Sequence, residues 1–372
     1  MKEIREILKA YDQMQAAGLS GALATVVRVQ GSSYRRPGAR MLIQEDGRWT
    51  GAISGGCLEG DALRRARAIM QSGQPDVITY DTTEDASATS LAVGLGCNGI
   101  IDVLIEPVRA DSDPVAQLRA YARGNQPGGL ATVFGAPEGH PLRPGHRLWL
   151  PPAGEAGHSL PAGPWAAQFQ SDLQAALAAG RSRLATYDEG VQVLLEVIQP
   201  PVQLWIFGAG YDSMPLSRLA GEMGWDIFVS SDCGAKVIPA RFPEARQVTH
   251  LERATIATEV PVTPTTAAVV MSHNYAYDKT VVSQLLPLNL PYLGVLGPRT
   301  RTDKLLRELA EAGQSIDREG LYSPVGLDLG AETAEEIALS IVAEIQAVMR
   351  QRRATPLRER QGPIHPRETE TV

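Results

Sequence analysis

Gln199-Pro200-Pro201 constrains the fold of this 372-residue chain more than any other feature. Two successive prolines remove two backbone donors and fix φ, so neither a helix nor a central strand can run through them. The patterns on the two sides differ. Before the pair, strand-like and helical stretches follow no regular order; after it, strands and helices alternate. The expected fold class is α/β, with a C-terminal Rossmann-like doubly wound parallel sheet preceded by an N-terminal α+β domain. The expected domains are 1–199 and 200–349, followed by a tail, 350–372, whose poor apolar content points to disorder.

Within the first part, residues 1–17 place Ile4, Ile7, Leu8, Tyr11 and Met14 at helical spacing up to Gly18. Leu23–Val29, Arg40–Gln44 and Trp49–Ile53 read as strands, the last two joined at an Asp46-Gly47 turn. Leu58–Met70 and Val115–Ala122 read as helices, Val77–Tyr80 and Ile100–Ile105 as buried strands. Gly and Pro crowd residues 135–164, which implies a long loop or an irregular hairpin. A helix, Trp165–Ala179, and two strands, Arg183–Tyr187 and Gln192–Val197, complete the part. No internal repeat is read along the chain.

Beyond the prolines, strands fit Gln203–Phe207, Asp226–Ser230, Ala268–Ser272 and Tyr292–Leu296. Helices fit Met214–Met223, Thr280–Leu286, Thr302–Ala312 and Thr333–Met349, the last opening on a Thr333-Ala334-Glu335-Glu336 capping box. The first of these strands runs into Gly208-Ala209-Gly210-Tyr211-Asp212-Ser213. Gly208 allows a tight turn, Gly210 lets backbone amides approach a phosphate, and Ser213 is small enough for helix–strand packing. Asp232, at the end of the next strand, is placed to accept ribose hydroxyls. His273 and Asn274 sit at a later strand end facing the same crevice. Opposing this, Asp212 puts a carboxylate where the helix would receive a pyrophosphate. The unit therefore binds a nucleotide such as NAD(P), binds part of another cofactor, or keeps the fold with neither.

The net charge of −7 argues against a general nucleic-acid binder. No apolar run is long enough for a membrane span, and the start, Met1-Lys2-Glu3-Ile4-Arg5-Glu6, lacks a signal-peptide apolar region, which points to a cytoplasmic chain. Three cysteines, Cys57, Cys97 and Cys233, form neither a disulfide framework nor a zinc-site spacing. Two of them stand in glycine turns. In Ser54-Gly55-Gly56-Cys57-Leu58-Glu59 a strand ends and a helix begins, a setting that offers amides to an anion and raises thiolate character. Gly94-Leu95-Gly96-Cys97 precedes a buried strand. Upstream, Arg35, Arg36 and Arg40 could meet phosphate charges. No Ser-His-Asp or Cys-His catalytic pair is assembled by the sequence.

Several of these motifs, in this order, resemble one family. They are Gly31-Ser32-Ser33-Tyr34-Arg35-Arg36-Pro37-Gly38-Ala39-Arg40-Met41, Ser54-Gly55-Gly56-Cys57-Leu58-Glu59 and Gly94-Leu95-Gly96-Cys97, then Phe207-Gly208-Ala209-Gly210, Ser272-His273-Asn274 and Leu296-Gly297-Pro298-Arg299. The chain is identified by them as a member of the xanthine dehydrogenase accessory proteins, the XdhC/CoxI family. That resemblance implies a chaperone that binds molybdenum cofactor (molybdopterin), holds it for sulfuration by a cysteine desulfurase and delivers it to an apo-molybdenum hydroxylase. It makes Cys57 the first candidate to touch cofactor and metal, with Cys97, Ser54, Gly55, Gly56, Glu59 and Arg40 around it, in a protein expected to be a homo-oligomer. Tyr211 departs from the family's usual His at the Rossmann turn. The competing readings are an NAD(P)-dependent oxidoreductase built on Gly208, Gly210 and Asp232, and an enzyme that modifies the cofactor by nucleotidyl or sulfur transfer.

Overall fold

Glycine and proline at the strand ends, with apolar residues between them, partition the chain into two units, one of residues 1–200 and one beginning at Pro201. The computed structural model describes residues 1–83 and 99–361. The Gly94–Asn98 turn with Cys97, and the tail from residue 362, lie outside the described residues.

The first unit runs α1 (Lys2–Ala16), β1 (Gly21–Gly31), β2 (Arg40–Gln44), β3 (Trp49–Gly51), α2 (Glu59–Ser72), β4 (Asp76–Asp81) and β5 (Gly99–Pro107). Two short helices follow, α3 (Pro114–Gln117) and α4 (Arg119–Ala122). Then come β6 (Gly128–Gly135), β7 (Arg147–Leu150), β8 (Gly157–His158), α5 (Trp165–Ala179), β9 (Arg183–Tyr187) and β10 (Val191–Ile198). These strands make two antiparallel five-stranded sheets, β3-β2-β1-β5-β4 and β8-β7-β6-β10-β9. Counted from its own first strand, each sheet has the order 3-2-1-5-4, with a helix between its third and fourth strands.

The unit is therefore an internal duplication, which corrects the reading of the chain as free of repeats. Leu23-Ala24-Thr25-Val26 returns as Leu130-Ala131-Thr132-Val133, and Arg36-Pro37-Gly38-Ala39-Arg40 as Arg143-Pro144-Gly145-His146-Arg147. Burial repeats as well. Ala24, Val26 and Met41 pack with Ala62, Ala66 and Ile69 of α2, while Ala131, Val133 and Leu148 pack with Phe169, Leu173 and Ala176 of α5. Because strand side chains alternate, the other faces are left to each other. Val27 and Leu104 meet Phe134 and Leu194 there, equivalent residues from the two halves. Strands covered on both faces read as unbroken apolar runs, which is why β1 is buried from Gly21 through Val27.

Two buried ion pairs tie the halves together. Arg40 of β2 donates to Glu196 of β10 at 2.9 and 2.5 Å, and Arg147 of β7, at the equivalent position, donates to Glu106 of β5. Arg40 is only 4% exposed, which removes it from any phosphate-binding role. The halves differ between the fourth and fifth strands. Val77 and Leu184 stand 107 positions apart, but Leu104 and Leu194 only 90, so the first half carries 17 additional residues there. Cys97 falls in that addition.

In the second unit, β11 (Gln203–Phe207), α6 (Ser213–Glu222), β12 (Asp226–Ser230), β13 (Gln247–Thr249), α7 (Ile256–Glu259) and β14 (Thr266–Val270) come first. They are followed by α8 (Tyr275–Leu285), β15 (Tyr292–Val295), α9 (Arg299–Glu311), β16 (Leu321–Tyr322) and α10 (Ala334–Met349). All six strands are parallel, in the order β13-β12-β11-β14-β15-β16. That is the 3-2-1-4-5-6 order of a Rossmann sheet, whose switch point lies between β11 and β14. Leu204 and Ile206 pack with Leu216 of α6 and Ile341 of α10, while Trp205 and Phe207 pack with Val281 of α8 and Leu305 of α9. One strand thus feeds two cores, as a doubly wound sheet requires. Among the described residues no helix is long and apolar enough to cross a membrane.

Candidate functional site

The Ser54–Glu59 loop is built around a carboxylate turned inward. Glu59, the first residue of α2, is 5% exposed. It accepts from the backbone amides of Ser54 at 2.8 Å and of Ile53 and Leu58 at 3.2 Å, and from the Ser54 hydroxyl. Ser54 Oγ in turn accepts from the amides of Gly56 and Leu58, both at 3.1 Å. Burial alone would raise the Glu59 carboxyl, but the hydrogen bonds from Ser54 and the backbone outweigh it and hold the group below the usual carboxylate range. An anion at a helix N-terminus is favourable, and here the chain supplies its own. This corrects the expectation that the turn offers these amides to a bound phosphate, and it makes Glu59 and Ser54 organisers of the loop.

What the loop presents outward is Gly55, Gly56 and Cys57, all exposed. Gly56 has φ +112°, a conformation that L side chains rarely adopt. The Cys57 thiol is free and lies 3.5 Å from Ser54 Oγ. Beside the loop is a cleft of about 460 Å³ lined by Tyr34, Trp49, Ala52, Ser54, Gly55, Gly56 and Glu59. Arg35 holds the cleft's rim, donating to the Ala52 carbonyl at 3.1 Å and to Glu3 of α1, so it is an anchor; Arg36 is exposed. Neither Tyr34 nor Trp49 is marked by periodicity or metal-ligand spacing, although Tyr34 lies within the Gly31–Met41 run.

The duplication supplies an internal comparison. At the spacing that relates Arg40 to Arg147, Ser54, Cys57 and Glu59 correspond to Pro161, Pro164 and Ala166. The helix of the second half forms without a serine–carboxylate cap or a thiol. The network around Cys57 is therefore not demanded by the fold of a half.

In the second unit the structure gathers Gly208, Gly210, His273, Asn274 and Asp232 at the carboxyl end of the sheet. A Cβ on Gly208 would collide with the Met271 carbonyl, so β11 can turn beside β14 only with glycine there. Asp212, at the N-cap of α6, is bound through Oδ2 by His273 Nε2 at 2.6 Å, and its Oδ1 is buried without a hydrogen-bond partner. His273 itself has φ +61°. Asn274 caps α8 by accepting from the amides of Ala276 and Tyr277, and its side-chain amide donates to Asp232 at 2.7 Å. Arg241 donates to the carbonyls of Ala209 and Gly210. The pairing of Asp212 with His273 is not evident from sequence, because 61 residues separate them. With a carboxylate seated at the end of α6 and Asp232 engaged by Asn274, these residues do not fit a dinucleotide pyrophosphate. Among the described residues no three His, Cys, Asp or Glu side chains cluster as a metal site.

Comparison with known proteins agrees with both halves of this description. The model of the XdhC and CoxI family matches residues 14–81, and that of the XdhC Rossmann domain matches 204–345. The chain is 34% identical over 323 residues to a probable xanthine dehydrogenase subunit of Bacillus subtilis, covering 87% of this chain and 91% of that one. It is 26% identical over 346 residues to the molybdenum cofactor insertion chaperone PaoD of Escherichia coli, covering 92% and 88%. Its fold is similar to the crystal structure of a xanthine dehydrogenase from Bacillus halodurans, with a TM-score of 0.73, 26% identity, and 95% and 98% of the two chains covered. With the cysteine loop and the Rossmann unit both matched, and a relative at 34% identity along most of its length, the chain belongs to the XdhC and CoxI family.

Proposed function

We propose that this chain is a molybdenum cofactor chaperone, which binds the cofactor, holds it for sulfuration by a cysteine desulfurase and passes it to an apo-molybdenum hydroxylase of the xanthine dehydrogenase type. The observation that carries this reading is the exposed Cys57 thiol on a loop pre-ordered by Ser54 and Glu59, in one half of a duplicated unit only. Names borne by similar proteins support it, PaoD above all. A single thiolate can serve as an exchangeable ligand to a soft metal centre that arrives with its own dithiolene. Gly55 and Gly56 let the cargo approach the backbone, and the cleft beside them is large enough for a small ligand. Holding cargo requires no bond-making residue. Delivery in the cytoplasm, by a homo-oligomer, belongs to the same proposal.

The test is copurification. Wild-type protein expressed with an intact cofactor pathway should carry molybdenum and a pterin that fluoresces once oxidised, and Cys57→Ala should lose most of the metal. Full retention of metal by Cys57→Ala would remove the thiol from the reading. Absence of both metal and pterin from the wild type would sink it.

A further inference from the structure

Among the described residues only three aromatic side chains are largely exposed: Tyr34, Trp49 and Tyr211. Two of the three, Tyr34 at 76% and Trp49 at 51%, line the cleft beside the cysteine loop, and Trp49 also borders a neighbouring hollow against α1. Scattered exposed apolar residues are ordinary, but a pair gathered in one concavity calls for an occupant. Neither ring supports the fold from within. At the spacing that relates Arg40 to Arg147, Tyr34 and Trp49 correspond to Pro141 and Ala156, and the second half folds with those smaller residues. Their backbones, by contrast, are well held. Tyr34 precedes Arg35, which is fastened to Glu3 and to the Ala52 carbonyl, and Trp49 pairs opposite Ile43 in the sheet. The Tyr34 ring passes so close to Gly55 that a Cβ there would lie 3.7 Å from it. In the cleft wall, Ser54 Oγ and the Glu59 carboxylate are already engaged by the loop's own amides.

We propose that Tyr34 and Trp49 form a stacking platform for the pterin ring of the cargo, beside the thiol that meets its metal. The proposal rests on the cofactor reading above. The planar aminopyrimidinone ring of the pterin is the part of such a cargo that aromatic side chains recognise, and stacking needs few directional polar groups. Two rigid rings add contact area at small entropic cost. Recognition is then divided: the aromatics select the organic ring, and Cys57 engages the metal.

The experiment uses neopterin, which has neither phosphate nor dithiolene, titrated into the full chain and read by pterin fluorescence anisotropy. Tyr34→Ala and Trp49→Ala are each expected to weaken binding about ten-fold, the loss of one stacking contact. Tyr34→Phe and Trp49→Phe should bind within about two-fold of wild type, since stacking needs the ring and not its polar atom. Cys57→Ala should leave neopterin affinity unchanged while losing molybdenum. Wild-type affinity in both alanine variants, or no neopterin binding by the wild type, would overturn the platform even if molybdenum retention still depends on Cys57. Alanine variants that keep the cofactor but fail to pass it on would also overturn it, assigning the rings to the client's surface. Neopterin binding that follows the expected pattern in a wild type that copurifies with neither molybdenum nor pterin would sink the chaperone reading and leave the platform standing.

Discussion

Glu59, in the wall of the cleft beside Cys57, is where the shape of the cysteine loop is decided. Its carboxylate gathers three backbone amides and the Ser54 hydroxyl, and the loop that exposes Cys57 takes its shape from them. The group is held below the ordinary carboxylate range. Its stabilising contribution is therefore fully present above the unfolded value, about pH 4, and is lost as the pH falls through the lower folded value. Glu59→Gln replaces one accepting oxygen with a donor facing donors. We expect it to cost about 1–3 kcal/mol, to abolish this part of the acid dependence, and to reduce cofactor retention with Cys57 intact. Denaturant unfolding at several pH values would check it, and a variant as stable as wild type at neutral pH would refute the role. The residue type and spacing of the motif were readable in the sequence. The inward turn of the carboxylate was not, because the same Ser-Gly-Gly-Cys-Leu-Glu string is compatible with a turn whose amides face out.

At the scale of elements, the β11–α6 turn has the shape of a dinucleotide site and the charge of something else. Its glycines and the acid after β12 were legible because each is fixed by local backbone demands, whereas its place at the switch point comes from the strand order. The side chain that closes it was partly legible: Asp212 stood out as a misplaced charge, while its partner His273 arrives on a different strand. We expect calorimetric titration of the full chain with NAD or NADP to release no measurable heat, and a dissociation constant below a millimolar for either would contradict this assignment. Element ends follow the same logic. The capping box of α10 is as the sequence predicts, with Thr333 and Glu336 exchanging hydrogen bonds. Helix α8 begins at Tyr275, five residues before the predicted Thr280, because Asn274 caps it. Strand β6 escaped notice because Gly128 and Gly129 open it, and β7 and β8 are short pieces inside the Gly- and Pro-rich stretch. The duplication stayed hidden because its matching strings, Leu-Ala-Thr-Val and Arg-Pro-Gly-x-Arg, are short and its helices share little beyond their C-cap glycines, Gly73 and Gly180.

Across the whole first unit, the duplication sets two sheets face to face and crosses them with Arg40–Glu196 and Arg147–Glu106. Each arginine belongs to one half and its acid to the other, so joining the halves in a shifted register would bury unpaired charge. That makes the ion pairs a device for joining the halves in one register, which apolar contacts such as Val27 with Phe134 would specify less sharply. The two pairs are also linked. The Glu106 carboxylate adds to the field that keeps Arg40 charged, and the Tyr121 side chain is near enough to Glu196, Arg40 and Arg147 to feel all three. Breaking one pair should thus disturb the other. Arg40→Met is expected to cost about 3–5 kcal/mol by stranding Glu196, whereas Arg40→Met with Glu196→Leu should recover most of that loss. Adding Arg147→Met to Arg40→Met should depart from the sum of the two separate losses, because the Glu106 carboxylate interacts with Arg40 as well as with Arg147. Denaturant unfolding of the wild type, Arg40→Met, Arg147→Met and the two double variants would decide the matter. Strict additivity would mean two independent bridges; a recovered double apolar variant that still carries its cargo would show that the ions specify how the halves join, while the site beside Cys57 works through its own loop.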